Sequence, residues 1–213
     1  MHKLNRPEAP TCLATYQYGV HSWTVDSPDF AGRQEIWVCL DAMQGERCAY
    51  CERKIGPGSR HIEHFRRRCS FQHLTFDWSN LFGSCEDDDT CGKHKDSCGS
   101  YDVSLLLKPD DDDPDDFFDF LSNGTIAPRT GLNGSMRLRA TETLRVFNLD
   151  TQQGGLRWRR YRAVAGYKQT LDELLDLAAA FPGEWIQFRD DEIAQTAELE
   201  FATVIRHLLR SAG

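Results

Sequence analysis

No run of apolar residues in this chain approaches the roughly 20 that a membrane span requires, and charged residues make up 27% of it. The opening Met1-His2-Lys3-Leu4-Asn5-Arg6-Pro7 also lacks the apolar core of a secretory signal, so the expected location is the cytoplasm. No internal repeat is found. An excess of positive charge is missing as well: the formal net charge is -8. That is awkward for a protein that binds phosphates, because such binding is driven largely by Lys and Arg releasing counterions.

What is present is a globular composition. With 213 residues, 40% of them hydrophobic, the chain can bury a core as one domain or two small ones. Its acid is local: much of it lies in the tract from Asp110 to Asp116 and in a second cluster from Glu86 to Asp89. Arg66-Arg67-Arg68 and the stretch from Arg157 to Arg162 form basic islands between them. A chain charged in this way is expected to draw part of its binding surface from a partner.

Periodicity divides the chain into four stretches. Residues 1–45 are irregular over the first 33, then helical from Gln34 to Gln44, where Ile36, Trp37, Leu40 and Met43 recur at helical spacing until Gly45. Residues 46–108 carry a compact metal-type module. In it, Cys48 to Lys54 and Arg60 to Phe65 read as two short strands around the Gly56-Pro57-Gly58 turn. A helix capped by the Thr90 hydroxyl follows near Cys91. Residues 109–134 form a connector whose Asp tract is expected to be a solvated, self-repelling loop. Residues 135–213 are helical, with helices predicted over Met136 to Leu149, Leu156 to Ala180 and Asp190 to Leu209. The fold class expected is α+β.

Six of the eight cysteines lie between Cys48 and Cys98. In a reducing compartment such clustering points to metal rather than disulfides. Cys48-Ala49-Tyr50-Cys51 is a C-x2-C pair, and Cys85 with Cys91 can complete a tetrahedral structural Zn2+ site. The second pair is spaced more widely, leaving Cys98, His61 and His94 as alternative donors. Cys12, Cys39 and Cys69 have no paired spacing and read as ordinary buried or partly buried thiols.

Between the cysteine pairs stands His61-Ile62-Glu63-His64, followed by Asn80 and His94. Phosphodiester hydrolysis needs a base for water, a cation to neutralise phosphoryl charge, and a scaffold that fixes both. His64, Glu63 with His94, and Asn80 can supply these.

Cys48-Ala49-Tyr50-Cys51-Glu52, Ile62-Glu63-His64-Phe65-Arg66, the stretch from Phe76 to Phe82 and Cys91-Gly92-Lys93-His94-Lys95 resemble the HNH endonucleases. Within these they are most similar to the retron-associated HNH proteins and PtuB of Septu-type antiphage systems. The resemblance runs from Cys48 to about Asp96 and implies a zinc-bound ββα-metal module with a mostly helical C-terminal extension. It implies His64 as general base, Glu63 and His94 as ligands of a catalytic Mg2+ or Mn2+, and Asn80 as the residue that orients the loop presenting His64. Arg66, Arg67 and Arg68 become candidate phosphate contacts. Many members have Asn or His directly after the last zinc cysteine, where this chain has Gly92, which leaves His94, Asp96 and water as alternatives for the third ligand; Pro-Lys is expected where it has Arg67-Arg68.

The implied partners are a PtuA-like ATPase and, in some systems, a retron reverse transcriptase with its msDNA. The implied substrate is a nucleic acid, DNA or an RNA such as tRNA. Two other readings compete: a stand-alone restriction-type HNH enzyme, and a zinc adaptor that docks an ATPase without catalysis.

Overall fold

The computed structural model describes residues 1–24, 27–152 and 155–212. Residues 25–26 of the irregular N-terminal stretch, and 153–154 and 213 of the helical one, lie outside the described residues. Helix α1 spans Phe30–Gln44; its first turn is capped by the Asp29 carboxylate, which accepts from the Gly32 N–H, and Gly45 ends it in the left-handed conformation. Strands β1 (Arg60–His64) and β2 (Leu81–Cys85) pair antiparallel, with Arg60 opposite Cys85 and His64 opposite Leu81. The short helix α2 (Cys91–Ser97) follows. A small ladder of β3 (Phe118–Phe120) and β4 (Ile126–Pro128) comes next. Four helices complete the chain: α3 (Gly134–Phe147), α4 (Leu156–Ala180), α5 (Trp185–Gln195) and α6 (Ala202–Ser211). The α+β class is as expected, and no helix among the described residues is long and apolar enough to cross a membrane.

The core is continuous across all four stretches. Tyr50 of the cysteine turn stacks on Phe147 of α3 at 4.2 Å, and Phe65, Phe82, Phe118, Leu107 and Leu156 are fully buried around them. Gly83 permits α1 to lie against β2, since a Cβ there would meet Trp37 Cζ3 at 2.8 Å. The Gln44 side chain then completes the strand edge, accepting from Gly83 N–H at 2.7 Å and donating to Gly83 C=O at 2.9 Å.

Four local expectations are corrected. Cys48 to Lys54 is a turn rather than a strand: Cys48 N–H donates to Arg53 C=O, Glu52 N–H donates to Cys48 C=O, and Glu52 has φ 66°. The partner of β1 is therefore β2, because a backbone that curls to converge two thiols cannot also run extended. The helix expected over Asp190 to Leu209 breaks between α5 and α6, where Phe201 adopts φ 56°. That break folds onto the cysteine turn: Arg47 donates to the Ala197 and Leu199 carbonyls, and buried Glu52 accepts from Thr203 N–H and Oγ1.

Thr90 does precede α2, but its hydroxyl is buried and makes no cap hydrogen bond. The Asp tract is a set of staples rather than a self-repelling loop. Asp110 pairs with Arg6 at 2.6 Å, Asp112 with Arg139 at 2.7 Å, and Asp115 with Arg206, His207 and Arg210 at 2.6, 3.2 and 2.9 Å. Lys108 pairs with Asp110 and Asp111 locally, and the other cations come from residues far away in sequence, which a local reading does not bring together. The N-terminal segment also contributes more than irregular chain: Thr11–Thr15 is a 3-10 turn, and Met1 and Leu4 are buried.

Candidate active site and metal centre

The cysteine turn and the far end of the β1–β2 ladder meet in one cluster. The Sγ atoms of Cys48, Cys51, Cys85 and Cys91 all lie within 4.8 Å of one another and are buried, with Cys51 and Cys85 at 3.9 Å. Four thiolates around zinc at about 2.3 Å stand roughly 3.8 Å apart. This four-cysteine cluster has the donor set and spacing to bind zinc, and among the described residues no other group of three or more His, Cys, Asp or Glu converges in this way. Cys98 lies outside it, donating to the Lys95 carbonyl, and Cys69 is exposed rather than buried.

From His61 to the opposite end of the ladder runs an open cleft of about 550 Å3 lined by His61, Glu63, His64, Arg67, Arg68 and Asp96, among others. His64 is buried there. Its Nε2 lies 2.9 Å from the Thr75 carbonyl oxygen. A carbonyl only accepts, so Nε2 carries the proton and Nδ1 holds the free lone pair of a neutral imidazole. Burial, assisted by the charge of Arg68, pushes its pKa down to about 4. Trp23 meets the ring edge-on at 4.6 Å between centroids.

Glu63 is 2% exposed. Its Oε1 lies 2.6 Å from Nζ of Lys95, a fully buried ammonium that also reaches the His64 carbonyl at 2.9 Å and Asp96 Oδ1 at 2.8 Å. Burial opposes the charge on Lys95, but Glu63 and Asp96 outweigh it and its pKa is raised. Glu63 Oε2 faces His61 Nε2 at 3.4 Å. The His61 pKa is likewise raised: burial acts against it, and the contact with Glu63, then the charge of Glu86, prevails.

Asn80 acts as a clamp. Its Oδ1 accepts from Arg66 N–H at 2.7 Å and its Nδ2 donates to the Arg66 and Leu74 carbonyls, so one amide ties both ends of the loop between His64 and β2. Asp77 caps the turn beside it, accepting from Ser79 N–H. His94 is not brought to Glu63: its Nδ1 is 2.9 Å from the Val146 carbonyl, on the side of α2 that faces α3. Gly92 and Lys95 face Glu63 instead, and a Cβ on Gly92 would meet Glu63 Oε2 at 2.6 Å.

Of the three arginines, Arg67 is committed internally to the Lys95 and Gly99 carbonyls and the Tyr101 ring, and Arg66 lies over Phe71. Arg68 is exposed at the rim, with one hydrogen bond to the Trp23 carbonyl.

No protein-family model matches the chain. Among curated proteins it is 27% identical over 89 residues to the Septu protein PtuB of Bacillus thuringiensis, covering 40% of this chain and 35% of that protein. It is 30% identical over 141 residues to a protein of Vibrio cholerae serotype O1 biovar El Tor named as a candidate HNH endonuclease of retron Vc95, covering 61% of this chain and 66% of that one. The chain is a relative of the PtuB and retron HNH proteins. It spans about a third of the PtuB protein and just under two thirds of the retron protein.

Sequence reasoning missed four members of the site. Lys95 stands three residues after Gly92, on the same face of α2, and a buried carboxylate calls for such a cation. Strand alternation puts His61 beside Glu63. No sequence signal points to Thr75 or Trp23, which reach His64 only through tertiary packing.

Proposed function

We propose that this chain is a metal-dependent HNH nuclease that hydrolyses phosphodiester bonds, serving as the effector of an antiphage defence assembly beside a PtuA-like ATPase. The observation that carries this reading is the neutral, buried His64, its Nε2 proton given to the Thr75 carbonyl, next to Glu63 in an open cleft. That arrangement suits a base. Nδ1 takes the proton from water while the Thr75 carbonyl holds the ring in place.

Glu63 suits a cation ligand, because Lys95 neutralises Oε1 from inside and leaves Oε2 toward the cleft. When bound, a Mg2+ or Mn2+ ion neutralises charge on the phosphoryl group and the departing oxygen. Such ions are commonly held by one or two carboxylates plus phosphate and water, so a sparse protein donor set fits them. Exposed Arg68 offers positive charge to a phosphate beside the cleft, and Asn80 fixes the loop that carries the arginines. Zinc in the cysteine cluster is structural.

The test is cleavage of DNA and of RNA by the purified chain, with and without the partner ATPase, in Mg2+ or Mn2+ and after chelation. His64→Ala is expected to lower cleavage by roughly 10²- to 10⁴-fold, the contribution of a positioned base, with zinc content unchanged. Undiminished cleavage by that variant would sink the assignment. Full activity of the chain alone would favour the stand-alone enzyme.

A further inference from the structure

On β1, His61 precedes Glu63 by two residues and so points to the same side of the strand. Its Nε2 is 3.4 Å from Glu63 Oε2, and its Nδ1 is 3.2 Å from Oε1 of Glu86, the residue directly after β2. Glu86 Oε2 is in turn held by Lys93 Nζ at 2.6 Å. The imidazole thus stands between two carboxylates, one in the cleft and one behind it. It is a cleft-lining residue, a quarter exposed, whereas Glu63 is almost wholly buried.

We infer that His61 Nε2 is the second protein ligand of the catalytic cation, alongside Glu63 Oε2, with Glu86 orienting the ring from behind. The inference rests on the nuclease reading above and deepens it. Adjacent donors around an octahedral ion of this size stand roughly 3 Å apart, close to the spacing of the two atoms. The other candidates are accounted for: Gly92 has no side chain, His94 is turned to Val146, Lys95 occupies the Oε1 side of Glu63, and Asp96 Oδ1 is paired with Lys95 and Arg67. A carboxylate behind a ligating imidazole fixes its tautomer and raises its basicity, and Glu86 occupies that place. With one imidazole in its donor set, the centre binds Mn2+ in preference to Mg2+.

Mn2+ binding to the zinc-loaded full chain, followed by electron paramagnetic resonance and spin-echo modulation, tests this directly. A coordinated imidazole nitrogen modulates the echo, and the four-cysteine site supplies no nitrogen. The wild type is expected to bind one Mn2+ with nitrogen modulation. His61→Gln should lose the modulation and bind Mn2+ on the order of tenfold to a hundredfold more weakly, while His94→Gln keeps both. His61→Asp should retain a cation site but move its preference toward Mg2+, which guards against a simple failure of His61→Gln to fold; zinc content reports the fold in each variant.

Modulation that persists in His61→Gln, or that disappears in His94→Gln, overturns the inference. Mn2+ binding that requires Glu63 but shows no nitrogen overturns it while leaving the nuclease centre in place. If Glu63→Gln leaves Mn2+ binding unchanged, both fall.

Discussion

The two ends of the β1–β2 ladder are built on opposite rules. At the Arg60–Cys85 end, four buried cysteines converge on one point, and the surrounding chain, including the α5–α6 break, closes over the turn that presents them. From His61 to the His64–Leu81 end the side chains line an open cleft, and the buried carboxylate in it is steadied by one internal ammonium. A site complete within the protein is suited to holding structure. A site left open on one face is suited to a cation that must also meet a substrate.

Removing one donor from each end should separate the two rules most sharply. Cys48→Ser is expected to abolish zinc binding and cooperative folding together, because the binding energy of a structural zinc is folding energy; zinc content and circular dichroism check it. Lys95→Met should leave zinc in place but strand Glu63 as a buried, unpaired carboxylate, costing about 3–5 kcal/mol, read by denaturant unfolding. Equal loss of zinc in both variants would erase the distinction between the ends.

A subtler difference lies in pH. The folded-state pKa of His64 is near 4, against roughly 6.5 in an unfolded chain. Between those values the unfolded state binds a proton that the folded state does not, so stability falls as pH falls. The wild type is expected to lose about 3 kcal/mol across that interval that His64→Gln retains, measured by unfolding at each pH. Parallel pH profiles would mean that the imidazole is not held neutral. The smallest effect concerns the brace on the cysteine end: Thr203→Val should cost about 1–3 kcal/mol, by removing the hydroxyl that donates to buried Glu52 at 2.5 Å.

Much of this was legible in the sequence where the signal is local. The C-x2-C pair, the turn at Gly45, and the helix from Leu156 to Ala180 follow from spacing and periodicity, and the structure has them at those positions. Glu63 and His64 were legible as neighbours at the end of a strand, and β1 carries both. What spacing could not carry were relations across the chain. Cys48 to Lys54 offered strand-like composition, yet convergence of the thiols imposes a turn. His94 had the right residue type but the wrong helix face, a matter of one hundred degrees per residue. The Asp tract looked repulsive because its cations arrive from Arg6, Arg139 and α6.

The break between α5 and α6 has a consequence for the order in which the protein can be made. Glu52 stands beside the first cysteine pair and meets the Met1 ammonium at 2.6 Å, yet its hydroxyl donor is Thr203, 151 residues later. During synthesis the N-terminal half emerges first, with its knuckle formed around a carboxylate that has no hydroxyl yet to meet. Pairings of such long sequence separation are slow to close. The half that carries the cysteine turn therefore matures last, when the helices that follow it have left the ribosome and folded back.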